Sequence, residues 1–260
     1  MSKRFKILFL VPPARSWAGE LLPLSSPHIG VAYLCAYLKM RDVDVAVMDL
    51  SHDYPQRTRR IKEAIGLHAP DLVGITVYSN VVNECREIVA DVRGVTSVPI
   101  VAGGPHISVS GGEFLRETGA EYGIIRDGEV PLHRLIEALR IDCRAPSLSQ
   151  ISGLLYQDAA GTLISTENRD LIVDLDEIPF PDWSVFDLPR YFEWAHKGYP
   201  IITSRGCPYG CTYCAAPLVT GRKFRFRSAS NVVREMQLYA GKGFERFGIA
   251  DDAFNVSAPA

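Results

Sequence analysis

Little in this sequence points to a membrane or to a nucleic acid. Its apolar runs are short, residues 7–11 being typical, against the ~18–20 needed to span a bilayer. Neither sign of charge is in excess: 28 Lys plus Arg stand against 30 Asp plus Glu, a net charge of −2. That balance excludes the electropositive footprint of a nucleic-acid binder and the polybasic anchor of a peripheral membrane protein. No Gly-x-Gly-x-x-Gly follows the first strand-like run, which removes a dinucleotide fold. There is no internal repeat and no low-complexity segment. Met1-Ser-Lys-Arg4 leads straight into a strand pattern rather than a leader, and a soluble cytoplasmic protein is expected. In that compartment the six cysteines are expected to be metal ligands or core residues, not disulfides.

What is present is an alternation of two periods. The 260 residues are 47% hydrophobic and 22% charged, enough for one large or two ordinary globular domains. Continuous apolar runs at 5–11, 43–48, 72–77, 98–102 and 122–125 read as strands buried on both faces. Between and after them, 29–40, 53–68, 81–92, 110–118 and 132–139 carry helical spacing. Five such units imply an α/β fold with a five-stranded, doubly wound parallel sheet. The rhythm breaks after Arg140. Two short strands around the turn Asp158-Ala-Ala-Gly161 predict a β-hairpin. The stretch around Ile178-Pro-Phe-Pro-Asp-Trp183 is an extended, aromatic linker held off helix by Pro179 and Pro181. A strand at 200–204, a helix at 231–240 and a strand at 244–250 open a second unit. The expected divisions are 1–145, 146–198 and 199–260.

The densest chemistry is Arg205-Gly-Cys207-Pro-Tyr-Gly-Cys211-Thr-Tyr-Cys214. Three thiolates in a tight Gly- and Pro-rich loop are soft ligands, suited to zinc or an iron–sulfur cluster. Zinc wants a fourth ligand, commonly from a second Cys pair. None lies near, and His196 has no motif around it. The blander alternatives are a zinc site or buried free cysteines. Downstream, Arg222, Lys223, Arg225 and Arg227 form a basic strip expected to be a solvated face. Cys35 and Cys85 fall on apolar helix faces and are expected in the core. Cys143, His52, His68 and His133 lack partners at metal spacing.

Cys207-x3-Cys211-x2-Cys214, with Tyr213 before the last cysteine, resembles the signature of the radical S-adenosylmethionine (SAM) superfamily. The resemblance implies a 4Fe-4S cluster on Cys207, Cys211 and Cys214, SAM bound at its open iron, and Tyr213 near the adenine. It also implies that 199–260 begins a (β/α)6 barrel and that an electron donor such as a flavodoxin or ferredoxin serves it. Ala250-Asp251-Asp252-Ala253-Phe254 resembles a variant of the segment that meets the SAM ammonium, through Asp251 or Asp252. A helix N-cap is the alternative duty.

The first unit resembles the cobalamin-binding module that precedes many radical SAM domains. The matching pieces are Pro12-Pro13, Ile29-Gly-Val-Ala-Tyr-Leu34, Pro70-Asp-Leu-Val-Gly-Ile-Thr76, Gly103-Gly104-Pro105-His106 and Arg126-Asp-Gly128-Glu129. Small residues at strand ends admit the cofactor's nucleotide tail, which the resemblance places beside Ser79, Gly103, Gly104, Gly128 and Glu129. The module's usual Asp-x-His-x-x-Gly is absent from the seventeen-residue loop 12–28, whose one histidine, His28, is placed to cap the next helix. Cobalt should therefore carry no protein histidine, and Tyr78, Ser79 and Asn80 are candidates for its lower face. The implied activity is a cobalamin-dependent radical SAM enzyme acting on a small molecule, with methyl transfer to an unactivated carbon or phosphorus centre foremost. Cyclisation or rearrangement is the alternative, and a cobalamin sensor with a structural cluster is the reading from another class. Only 46 residues follow Cys214, so the chain is expected to be a fragment of a barrel-bearing protein.

Overall fold

The computed structural model describes residues 4–16, 18–22, 26–140, 148–167, 171–191, 198–254 and 256. Cys143 and His196 lie outside these. The sheet is built from β1 (Phe5–Val11), β4 (Val43–Asp49), β5 (Leu72–Thr76), β6 (Ile100–Gly103) and β7 (Tyr122–Ile124), all parallel. Two further strands, β8 (Leu154–Gln157) and β9 (Leu163–Ser165), extend it antiparallel, in the order β4-β1-β5-β6-β7-β8-β9. The expected sheet of five is thus a mixed sheet of seven. The predicted hairpin closes the edge that β7 would otherwise leave unpaired, and Gly123 lets it pack closely: a Cβ there would lie 3.1 Å from Leu155. A small ladder, β2 (Ala14–Arg15) with β3 (Leu21–Leu22), lies within the loop after β1.

The strands separate two apolar layers because alternate side chains leave a strand on opposite faces. Ile7, Phe9 and Val11 pack against α1 (Ile29–Lys39) and α5 (Glu129–Arg140). Leu8 and Leu10 pack against α2 (Arg57–His68), α3 (Val82–Arg93) and α4 (Pro105–Thr118). Helix α4 begins five residues before the apolar spacing indicates, because Pro105 occupies its first turn. Its backbone breaks at Ser110 (φ −134°, ψ 24°) before resuming. Cys35 and Cys85 are core residues, as expected.

The remaining segment adds β10 (Tyr199–Ile201), β11 (Ser204–Arg205), α6 (Ala216–Val219), β12 (Arg225–Phe226), α7 (Ala229–Ala240) and β13 (Phe247–Ile249). β10 and β13 pair in parallel across α7, a single βαβ unit, and β11 pairs antiparallel with β12. The linker aromatics weld this segment to the sheet. Trp183 Nε1 donates to Tyr199 Oη at 2.6 Å, Tyr199 donates to Glu235 at 2.9 Å, and Tyr239 donates to the Pro181 carbonyl at 2.8 Å. Trp183, Tyr199 and Tyr239 belong to the same apolar cluster as α1 and α5. No helix among the described residues is long and apolar enough to cross a membrane.

Candidate functional site

A cavity of about 300 Å³ opens at the carboxyl ends of β1, β5, β6 and β7. This is where an open parallel sheet presents a ligand site. Phe9, Ile75, Val101, Ala102 and Leu132 give it an apolar floor. Two glycines allow its walls to pack closely. A Cβ on Gly74 would lie 2.7 Å from the Phe9 ring, and one on Gly104, at φ +97°, would lie 2.9 Å from the Val77 carbonyl oxygen. Tyr78, Gly103, Gly104, Pro105, Gly128 and Glu129, all expected at the site, line this cavity. Pro12 and Asn80 line a neighbouring one of about 310 Å³, which shares His28, Ile29 and Tyr78 with the first. Ser79 and His106 form no part of either lining; Ser79 Oγ and His106 Nδ1 are 3.0 Å apart and partner each other.

His28 stands between the two cavities. Its Nδ1 accepts from the Val31 amide at 3.1 Å, capping α1 as the sequence indicates. A neutral ring that accepts at Nδ1 carries its proton on Nε2. Nε2 lies 2.9 Å from Tyr78 Oη and 3.3 Å from Thr76 Oγ1. Burial holds the ring neutral, lowering its pKa to about 4. Both ring nitrogens are therefore occupied.

The far wall of the cavity comes from the C-terminal segment: Ile202, Ser204, Arg205, Thr220, Ala250 and Asp252. Two of these, Ser204 and Arg205, run directly into the cysteine loop. Cys207 is buried and its amide donates to the Gly221 carbonyl at 3.0 Å; Cys211, Cys214 and Tyr213 are exposed, Tyr213 by 90%. The Ala216 amide donates to Cys214 Sγ at 3.5 Å. Among the described residues no three His, Cys, Asp or Glu side chains are placed to hold a metal ion, so the loop is not gathered around a centre. Its donor set nevertheless fits an iron–sulfur cluster, since all three thiols are free, close in sequence and soft.

The two aspartates after β13 have separate partners. Asp251 accepts from the Thr203 amide at 2.7 Å, from Ser204 Oγ at 2.8 Å and from Thr203 Oγ1, which fastens the β13 end to the entrance of the cysteine loop. Asp252 accepts from Thr220 Oγ1 at 2.7 Å and faces the cavity. No helix follows either among the described residues.

The basic strip departs from its expectation. Arg222 and Lys223 are exposed, but Arg225 and Arg227 are buried. Around β12 the chain alternates faces, and the inward positions find carboxylates. Arg225 pairs with Asp127 at 2.6 Å, and Arg227 pairs with the fully buried Glu235 and donates to the Ile202 carbonyl at 2.8 Å. Arg205 pairs with Glu129 at 2.7 Å. Burial pushes the Glu129 carboxyl up, but the Arg205 charge and hydrogen bond, aided by Arg225, hold it below its ordinary value. For Glu235 burial dominates over Arg227, and the carboxyl is raised. Sequence reasoning missed Arg205, Arg225 and Asp127 as site residues; the one readable signal was the period-two spacing of Arg225 and Arg227.

Residues 21–136 match the family described as the B12 binding domain. Over 98% of its length the chain is 29% identical to an uncharacterized methyltransferase of Pyrococcus horikoshii, spanning 55% of that protein. It is 27% identical, over 90% of its length, to 42% of the anaerobic magnesium-protoporphyrin IX monomethyl ester cyclase of Rubrivivax gelatinosus. The chain thus spans about half the length of the curated relatives it matches. Among solved structures it resembles the radical SAM methyltransferase TsrM of Kitasatospora setae with cobalamin and a 4Fe-4S cluster bound. The TM-score is 0.77 at 24% identity, covering 97% of this chain and 48% of that one. That likeness is one of fold. Residues 21–136 thus resemble a B12 binding domain, and the chain as a whole shares the fold of a solved cobalamin-binding radical SAM protein.

Proposed function

We propose that this chain is the cobalamin- and cluster-binding part of an enzyme that uses SAM to methylate an unactivated carbon or phosphorus centre of a small molecule. The observation that carries the reading is the shared cavity. Its near rim and all of its floor but Phe9 fall within the residues that match the B12 binding domain, and its far wall is the stretch that enters the cysteine loop. The apolar floor and the glycines at 74, 103, 104 and 128 take the nucleotide tail of cobalamin. His28, spent on Val31, Tyr78 and Thr76, would not be free for cobalt; of the residues expected beside it, Tyr78 and Asn80 line the cavities and would contact the cofactor, while Ser79 is held by His106. Cys207, Cys211 and Cys214 hold the 4Fe-4S cluster; Tyr213 and Asp252 meet SAM, while Asp251 orients the loop. When bound, the cluster supplies an electron and cobalamin a transferable methyl group, and the protein contributes placement and exclusion of water. A flavodoxin- or ferredoxin-like donor reduces the cluster, in the cytoplasm.

Cyclisation is the second reading, favoured by the relative named as a cyclase. Anaerobic reconstitution of the chain with iron, sulfide and hydroxocobalamin tests the shared premise. The expected result is about four irons and one cobalamin per chain; stoichiometric zinc, or cobalamin lost on gel filtration, sinks it. With the catalytic portion complete, a methylated product separates methyl transfer from ring closure.

A further inference from the structure

The cysteines lie in an excursion, residues 206–224, whose two ends are brought together by the β11–β12 ladder. In that ladder Arg205 lies directly opposite Arg225. Like charges opposite one another in a strand pair repel, and these two side chains are 12% and 1% exposed. Two carboxylates make the pairing tolerable. Asp127 takes Arg225 at 2.6 Å and Arg205 at 3.6 Å, and Glu129 takes Arg205 at 2.7 Å. Both belong to the turn that starts α5, where Arg126 has φ +64° and Gly128 lies against Leu34 and lines the cavity.

Stability does not account for this network. Each buried ion costs several kcal/mol of desolvation, and apolar side chains of similar size often serve a core as well or better. Geometry does account for it. The turn between the two carboxylates is cavity wall, and the arginines they hold are the two feet of the cysteine excursion. We propose that Asp127 and Glu129 are positioning residues that fix the cysteine loop relative to the cavity and transmit the cavity's occupancy to it. The inference rests on the cobalamin reading above. A ligand that presses on Gly128 moves or steadies the carboxylates, and through them both ends of residues 206–224.

Amide hydrogen exchange of the whole chain, with and without hydroxocobalamin, tests it. In the parent, cobalamin should slow exchange at the cavity rim, residues 102–106, and also at 206–215. At cobalamin concentrations that saturate each variant, which removes any loss of affinity from these two cavity-lining residues, slowing at the rim should remain in Glu129→Gln and Arg205→Gln. At the loop they should lose it by roughly tenfold, the scale of one charged hydrogen bond. Arg205→Lys should restore part of it. Where Glu129→Gln does not fold, Asp127→Asn leaves the Glu129–Arg205 pair in place and should uncouple 221–224 first. Loop slowing that persists at parental size in the glutamine variants overturns the proposal. So does a rise in loop exchange that is equal with and without cobalamin, the mark of a merely structural contact. If cobalamin slows nothing in the parent, rim included, the cobalamin reading fails and takes this one with it.

Discussion

In the sheet half of the molecule the site is made by what is missing. Gly103 leaves open space at its strand end, and Gly74 and Gly104 let the neighbouring Phe9 ring and Val77 backbone approach closely around it. In the cysteine half the site is made by what is fastened. A loop with exposed Cys211, Tyr213 and Cys214 is held at its feet by Arg205, Arg225 and Asp251, and little covers its crown. The exposed Tyr209, Leu218, Phe226 and Phe254 all belong to this half. A cavity shaped by backbone is formed before its ligand arrives. The loop is fixed at its feet, while Cys211, Tyr213 and Cys214 at its crown stay open to solvent.

The largest difference between the halves should come from the cysteines. Replacing Cys207, Cys211 and Cys214 together with Ala should abolish iron binding, while cobalamin binding stays near the parental level. Iron analysis and the visible spectrum of the reconstituted protein read both at once. Loss of cobalamin alongside iron would show that the two halves are not separable in this way.

Next in size is the seam. Arg227→Ala leaves Glu235 fully buried and without its cation. Breaking one partner out of a buried pair costs ~3–5 kcal/mol, and urea unfolding should register a loss on that scale. A change under about 1 kcal/mol would mean that the carboxyl, already raised by burial, stays protonated in the folded chain.

A smaller contrast lies within the sheet half. Gly104→Ala sets a Cβ at positive φ against the Val77 carbonyl and should cost ~1–3 kcal/mol of stability. Gly103→Ala meets no atom within 4 Å. It should leave folding intact and weaken cobalamin binding, because its methyl enters the cavity. Equal effects on folding would refute the distinction.

The parallel sheet was legible because strands buried on both faces leave continuous apolar runs. The cysteine loop was legible because its spacing is local. The attachment of the hairpin to β7 was not, since two short strands carry no sign of which edge they join. The seam was not legible either. A run with cations at 222, 223, 225 and 227 reads as a solvated face until the sheet pairing selects 225 and 227 for the inside. Arg227 takes Glu235 from the following helix, but the carboxylate for Arg225 comes from far along the chain, Asp127 being 98 residues away, and no local pattern announces that pairing. Local chemistry was readable, and the long-range electrostatics that place it were not.

A last contrast separates the two duties of His28. Its pKa is about 4 in the folded protein against an ordinary 6.5, so the folded state binds fewer protons than the unfolded chain between those values. Stability from this residue is therefore fully present above pH 6.5 and falls away as the pH drops towards 4, with a slope of at most about 1.4 kcal/mol per pH unit. His28→Gln should flatten that slope while remaining folded at pH 8, where a neutral cap suffices. If the ring is spent on Val31, Tyr78 and Thr76, cobalamin should neither restore the slope in the variant nor alter it in the parent. The electron paramagnetic resonance spectrum of the cob(II)alamin form should then be free of nitrogen splitting from the protein. A splitting present in the parent and absent from His28→Gln would mean that the ring gives up Tyr78 and Thr76 for cobalt, and the cavity would be one that its ligand rebuilds.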